Sequence, residues 1–313
     1  MRVLLALGGN AMTGPDGSAT PGAQIAAITG AMEHAARLVA QGHELVITHG
    51  NGPQVGNLLV KNELAAHVVP PVPLDWCGAQ TQGTLGMTIL DSLDGALAAI
   101  DADRPVAALV TRTLVSHDDP GFSTPTKPVG RYVDAEAAQR MIDHGQVWED
   151  RGEKGWRRVV ASPDPLAVLD VEAARTLLEA GYVVVSAGGG GIPVVRERNG
   201  RLRGVEAVID KDLTAALLAA SLDADVLVIA TDVDHASVAF GTDHQRDLGR
   251  VGRAELRALA DAGEFASGSM GPKVEAVLRF VAGGGRGVIT SLTRITDAVE
   301  GNFGTVVEPD PVD

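Results

Sequence analysis

The residue order predicts an α/β protein with a mainly parallel sheet and helices on both of its faces. Three observations lead there. Short apolar runs of strand length end in glycine turns. Between them lie stretches whose apolar residues keep helical spacing. The two kinds of segment alternate along most of the 313 residues. That length suits one large unit or two fused medium ones, each with its own core.

Val3 to Leu7 reads as a buried strand that stops at Gly8-Gly9. Ile25, Ile28, Met32, Ala35, Ala36 and Val39 then follow helical spacing, and Gly42 is the stop. Leu45 to Thr48 is a second strand, followed by His49-Gly50-Asn51-Gly52-Pro53. Pro53 suits the first turn of a helix running through Leu58, Leu59 and Leu64. A third strand is expected over Pro105 to Val110. Residues 115–165 break the rhythm. Asp118-Asp119-Pro120-Gly121, Pro125, Pro128 and Gly130 precede a charged piece, Trp148 to Arg158, and predict an inserted subdomain or lid. The alternation resumes with a helix from Val171 to Leu178 ending at Gly181, then a strand from Val183 to Val185. The Gly188–Gly191 run and a hairpin over Arg196 to Arg203 follow. A helix opening at Lys211-Asp212, a strand from Asp225 to Ala230, a helix through Val274, Val277, Leu278 and Val281, and a strand at Val288-Ile289-Thr290 complete the series.

Composition removes several function classes. Hydrophobic residues at 45% exclude a disordered chain, and aromatics at 3% leave the core to Val, Leu, Ile and Ala. A net charge of −14 argues against nucleic acid and anionic membranes as partners. It also requires that an anionic substrate find a local positive pocket. The one cysteine, Cys77, excludes an internal disulfide framework and a Cys-based zinc site, and beside Trp76 it reads as a small buried apolar residue. The N-terminal apolar run is too short for a signal peptide, and no stretch is long enough to span a membrane, so a cytoplasmic location is expected.

Four glycine-rich turns follow predicted strands: Gly8-Gly9-Asn10, Gly50-Asn51-Gly52, Gly188–Gly191 and Gly268-Ser269-Met270-Gly271. Glycine lets backbone N–H groups approach a ligand, and a helix after such a turn adds its positive end. In a parallel sheet such turns gather at the carboxyl edge, which makes a phosphate ligand the natural reading. The familiar nucleotide signatures are missing: no Gly-Lys dipeptide, no Gly-x-Gly-x-x-Gly, no Gly-x-Ser-x-Gly and no His-Glu-x-x-His.

Lysine usage is the most informative feature. The chain has 21 Arg and five Lys: Lys61, Lys127, Lys154, Lys211 and Lys273. Lys211 opens a helix beside Asp212. Lys273 opens another directly after the Gly268–Gly271 turn, and Lys127 lies between prolines in the inserted segment. An ammonium is a compact point charge that the wider guanidinium fork does not replace beside a phosphoryl group. Asp212, at a helix start, and Asp232, ending a strand within Thr231-Asp232-Val233-Asp234, are the candidate carboxylates. His49 is read as a structural hydrogen-bonding residue.

The ordered segments resemble the carbamate kinase family of the amino acid kinase superfamily. They are Leu7-Gly8-Gly9-Asn10-Ala11, Thr48 to Gly56, Asp75-Trp76-Cys77-Gly78-Ala79, Pro125-Thr126-Lys127-Pro128 and Gly188 to Pro193. Gly204 to Asp212, Thr231 to Asp234, Ser267 to Lys273 and Ile289-Thr290-Ser291-Leu292 continue the series across nearly the whole chain. The resemblance implies a single domain built as a three-layer αβα sandwich, with an open, mainly parallel sheet and a small protruding lid subdomain, assembled as a homodimer. An acceptor-binding half would cover about 1–180, with the lid at about 115–165, and a nucleotide-binding half about 181–313.

It also implies the reaction ATP plus carbamate to and from ADP plus carbamoyl phosphate, with Mg2+ carried largely by the nucleotide phosphates and no firm protein metal ligand. Lys211 and Lys273 would meet the transferring phosphoryl group, with Asp212 holding them. Gly8, Gly9 and Asn10 would cradle that group, and Gly50, Asn51 and Gly52 would lie at the acceptor. Asp232, Met270, Gly271 and Pro272 would serve the nucleotide. Related amino acid kinases carry a lysine just before the first glycine pair. Leu5-Ala6-Leu7 has none, as in carbamate kinases, where a lysine of the protruding subdomain compensates, and Lys127 matches it. An amino-acid or UMP kinase of the same superfamily, or a catalytically silent nucleotide-binding regulator on the same fold, remain the alternatives.

Overall fold

Val3, Leu5 and Leu7 belong to one apolar cluster and Leu4 and Ala6 to another, the two-residue alternation that a strand buried on both faces imposes. The computed structural model, which describes residues 1–310 apart from 15, 16, 19, 144 and 266–268, extends this split across a whole sheet. Its strands run in the order Arg250–Gly252, Thr305–Glu308, Arg286–Ser291, Val226–Thr231, Arg2–Leu7, Glu44–His49, Val183–Val185 and Val106–Ala108. Every neighbouring pair is parallel except Arg286–Ser291 with Thr305–Glu308. Helices Pro21–Ala40 and Leu74–Ala98 bury Ile28, Met32, Leu85 and Ile89 on the face of Val3. Helices Val171–Glu179, Lys211–Ser221 and Met270–Val281 bury Leu178, Leu218 and Val277 on the face of Leu4. The expected three-layer αβα architecture is present. Val183–Val185, from beyond residue 180, sits between two strands of the N-terminal part. Among the described residues no helix is long and apolar enough to cross a membrane.

Register places the strand ends together. Leu7 pairs with Ala230 on one side and His49 on the other. Gly8 then donates its N–H to the Ala230 carbonyl at 3.0 Å, and Gly50 to the Leu7 carbonyl at 3.0 Å. The first two glycine turns therefore open side by side at the carboxyl edge of the central strands.

The inserted segment leaves and returns where Val115 pairs with Pro165, at the joined ends of strands Arg112–Val115 and Pro165–Val168. Arg112–Val115 also pairs with Ile192–Arg196, and that strand forms the expected hairpin with Leu202–Gly204. Between the exit and return points, strands Lys127–Val133, Trp156–Val160 and Val147–Asp150 form a separate antiparallel sheet with helix Ala135–Ile142.

Several expectations need correction. The strand expected over Pro105 to Val110 is only Val106–Ala108. It lies at the sheet edge, and one bond on each side continues the ladder, from Val183 N–H to the Pro105 carbonyl and from Leu109 N–H to the Val185 carbonyl. Ile25 and Leu64, counted on apolar helix faces, are exposed, because each lies at a helix end beyond the core. The Gly268–Gly271 turn does not follow a strand: its described residues come after helix Arg253–Asp261, and Gly268 lies outside the described residues. Helix Leu74–Ala98, 25 residues long, had no sequence expectation.

Candidate active site

Helix Lys211–Ser221 starts where Asp210 stops the extended chain. The Asp210 Oδ1 accepts from the N–H groups of Asp212 at 2.9 Å and Leu213 at 3.4 Å. That cap fixes the first turn, from which Lys211 and Asp212 project. Helix Met270–Val281 brings Lys273 from the other side. Asp212 joins the two lysines: its Oδ1 accepts from Lys211 Nζ, and its Oδ2 from Lys273 Nζ at 3.1 Å. Asp212 and Lys273 are buried, and Lys211 is nearly so. Burial opposes ionisation of Asp212, but the charges of Lys211 and Lys273 and their hydrogen bonds outweigh it, holding the carboxyl below its usual range.

These lysines line a cavity of about 270 Å³ with Gly8, Gly9, Asp232 and Ser269. Two helix N-termini and the end of Arg2–Leu7 converge there, so the positive ends of two helices and two ammonium groups meet at one small space. A Cβ on Gly8 would come within 2.9 Å of the Ala230 carbonyl oxygen, so only glycine lets the two strand ends touch. The Lys211 stem lies beside Gly50, whose added Cβ would sit 3.4 Å from Lys211 Cδ and 3.7 Å from the Gly9 nitrogen.

The second glycine turn is supported from beneath. Gly189 has φ +67°, and an added Cβ would lie 2.1 Å from Asn51 Nδ2; one on Gly188 would lie 2.3 Å from His49 Nε2. Asn51 Nδ2 donates to Thr81 Oγ1 at 2.8 Å. Gln82 ties helix Leu74–Ala98 to the same segment, donating to the carbonyls of Gly188 at 3.0 Å and Thr111 at 3.1 Å. His49 Nδ1 donates to the Gly50 carbonyl at 2.9 Å. Burial, opposed by that bond and helped by the Lys211 charge, pushes the imidazole down to about 4, so it is neutral at pH 7. The structural reading of His49 holds.

The amino acid kinase family profile matches residues 1–291. Carbamate kinase of Pyrococcus horikoshii is 41% identical over 312 residues, covering 98% of this chain and 99% of that one. Carbamate kinase of Thermococcus kodakarensis is 44% identical, covering 98% of both chains. The chain belongs to the carbamate kinases of the amino acid kinase family. A solved carbamate kinase from Giardia lamblia bound to AMP-PNP superposes with a TM-score of 0.94 at 38% identity, covering 99% of this chain and 98% of that one.

Against this family background, the structure gathers Gly8, Gly9, Lys211, Asp212, Asp232 and Lys273 at one cavity. Asn10 lies in the short turn Gly9–Met12, and Gly52 and Pro53 open helix Gly52–Ala65. Met270, Gly271 and Pro272 form the first turn of the Lys273 helix. Gly271 is held against Phe265, whose carbonyl oxygen an added Cβ would meet at 2.9 Å. Lys127 begins the first strand of the protruding subdomain, and its Nζ donates to Asp210 Oδ2 at 2.8 Å. Lys61 and Lys154 are exposed and take no part. Cys77 is buried and free, and burial pushes its thiol up, as expected of a core residue. The sequence reading missed Asp210, although an Asp before a helix-opening Lys-Asp is a capping signal. It named Ser269 only as part of the Gly268–Gly271 turn, and it missed Gln82, for which no local pattern exists.

Proposed function

We propose that this chain catalyses reversible phosphoryl transfer, ATP plus carbamate to and from ADP plus carbamoyl phosphate. The observation that carries it is the pair of ammonium groups, Lys211 and Lys273, held by one buried carboxylate at the wall of a glycine-lined cavity. Carbamate is already an anion, so its attacking oxygen needs no general base, and neutral His49 is not asked to be one. Catalysis is then positioning and charge neutralisation.

In this reading Lys211 and Lys273 stabilise the phosphoryl oxygens as the bond to the leaving phosphate lengthens. Asp212 sets their spacing. Gly8, Gly9 and Asn10 cradle the transferred group, Gly8 as the turn whose own N–H stays with the Ala230 carbonyl, while Gly50, Asn51 and Gly52 border the acceptor. Lys127 approaches the acceptor from the subdomain. Asp232, Met270, Gly271 and Pro272 lie on the nucleotide side. Mg2+ would be carried by the nucleotide phosphates, with Asp232 on the cavity wall the carboxylate available to it, since both Asp212 oxygens hold lysines; when bound it would add positive charge to the phosphate oxygens. The resemblance supports a homodimer; a cytoplasmic location and ATP generation from carbamoyl phosphate as the working direction complete the proposal.

Purified protein with Mg2+, ADP and carbamoyl phosphate should form ATP. A folded, ADP-binding preparation that forms none above the blank, while acetylglutamate, aspartate or UMP accepts phosphate from ATP, overturns the assignment.

A further inference from the structure

Asp210 uses its two oxygens for different tasks. Oδ1 caps the helix that carries Lys211 and Asp212. Oδ2 accepts from Lys127, which belongs to the protruding subdomain. One carboxylate therefore joins the catalytic helix to the subdomain, one residue before Lys211. Other polar contacts share the job: Val208 donates its N–H to the Ala161 carbonyl at 3.0 Å, and Arg279 pairs with Asp164 at 3.3 Å. Arg131 and Glu63 approach at 3.7 Å, and Arg158 and Glu206 at 3.3 Å. In each of those pairs one partner is more than half exposed, whereas Asp210 is 14% exposed and Lys127 34%. Beside these contacts part of the join is open. A cavity of about 520 Å³ separates Leu59, Glu63 and Val72 on the body from Met141, Val147 and Arg158 on the subdomain. The apolar contacts beside it, such as Leu59, Val129 and Val160, hold the subdomain near the body without fixing the direction of any charge.

We propose that Asp210 is a positioning residue: by pairing with Lys127 it docks the protruding subdomain on the catalytic helix and presents the Lys127 ammonium to the acceptor side of the phosphoryl site. This rests on the reading of Lys127 given above. Charge count supports it. Lys127, Lys211 and Lys273 face Asp210 and Asp212, so docking brings a third cation to the cluster without a bare repulsion between Lys127 and Lys211. Because Asp210 is already engaged as a helix cap, its carboxylate is pre-set, and ordering Lys127 costs little more than its own rotamer freedom.

The test is a set of variants of the full-length enzyme: Asp210→Asn, Asp210→Ser, Lys127→Met and Asp210→Asn with Lys127→Met. Asn and Ser both keep a capping oxygen but lose the charge. Steady-state kcat and KM for carbamoyl phosphate and for ADP are measured, with thermal unfolding and the trypsin or chymotrypsin cleavage rate within residues 115–165. Asp210→Asn should raise KM for carbamoyl phosphate at least about fivefold while KM for ADP stays within about twofold, a split that loss of a structural cap alone does not produce. Lys127→Met should do the same, the double variant should be no worse than Lys127→Met, and each should be cleaved faster than the wild type. If Lys127→Met raises KM and neither Asp210 variant does, the positioning role is wrong and the Lys127 reading stands. If Lys127→Met leaves KM unchanged, that reading and this proposal both fall. Multiplicative effects in the double variant also overturn the proposal. Should the Asp210 variants prove unstable, cleavage of Lys127→Met decides alone: a wild-type rate rules the tether out.

Discussion

Lys273 Nζ lies 3.1 Å from Asp212 Oδ2, and neither side chain is more than 8% exposed. The other Asp212 oxygen is taken by Lys211, so a single carboxylate holds two ammonium groups whose mutual repulsion would otherwise drive them apart. Such a pair is costly to bury and is already oriented when the phosphate arrives. Removing either lysine should therefore lower kcat more than it raises KM, by roughly 10²-fold, the scale of deleting one preorganised electrostatic donor. Lys→Arg should rescue poorly, because the broader fork cannot occupy the same point beside Asp212. Lys61→Ala and Lys154→Ala, at exposed positions, should be near neutral. Near wild-type kcat in Lys211→Arg or Lys273→Arg would end the point-charge argument, and equal losses in the controls would end the placement argument.

Asp212 also links the site to stability. Its native pKa is lowered, so its ionised form stabilises the fold. The contribution is complete above the unfolded value of about 3.9 and is lost as pH falls through the lower native value. Asp212→Asn should destabilise the protein by about 3 kcal/mol at pH 7, because it leaves buried ammonium groups unpaired. Urea unfolding of both proteins from pH 7 to pH 3 should show a constant gap down to about pH 4 and a shrinking one below it. A gap that stays constant to pH 3 would show that Asp212 acts through packing, not charge.

The clustering of lysines could be read from the sequence because the residue type is scarce. Three of the five lie at Asp210 or Asp212, and the other two are exposed. The subdomain was legible for a different reason. Its Pro/Gly-rich entry breaks a regular alternation, and the body closes over the gap by pairing Val115 with Pro165. Helix Leu74–Ala98 was not legible because four glycines and the buried polar Thr81 and Gln82 interrupt its apolar face. Those polar groups serve distant partners, Asn51 and Gly188, which no local spacing announces. The contact of Gly188 with His49 and of Gly189 with Asn51 is likewise non-local, so the glycine run was legible as a turn but not as the support of the Gly50–Gly52 turn.

The two adjacent glycines of the first turn should respond differently to a methyl group. At Gly8 a Cβ would press on the Ala230 carbonyl oxygen at 2.9 Å, where neither backbone can yield without breaking the strand pair. At Gly9 nothing lies within 4 Å, and the residue lines the cavity. Gly8→Ala should therefore lower Tm by several degrees, the shift that about 1–2 kcal/mol produces. Gly9→Ala should fold like the wild type yet raise KM for nucleotide or carbamoyl phosphate, since the methyl takes cavity space that the proposed function gives to phosphate oxygens. Differential scanning calorimetry and steady-state kinetics on both variants separate the effects. A stable Gly8→Ala, or a Gly9→Ala with unaltered kinetics, contradicts the assignment.

The protruding subdomain should be the first part of the free enzyme to yield to protease, and the part that ligands protect most. It is joined to the body through paired strand ends, one small apolar cluster at Leu59, Val129 and Val160 and a few ion pairs, with a cavity of about 520 Å³ beneath it. Segments with few buried contacts open at low free energy. A nucleotide and an acceptor analogue bound together add phosphate and carboxylate charge beside Lys127, Lys211 and Lys273, and closing over them excludes water from the reacting group. Limited proteolysis should cut within residues 115–165 first, and several-fold more slowly with both ligands than with nucleotide alone. The comparison with nucleotide alone is the informative one, because Lys127 is assigned to the acceptor side. Protection by nucleotide that an acceptor analogue does not increase would place the subdomain's closure on the wrong ligand, and equal cutting in all states would remove the closure altogether.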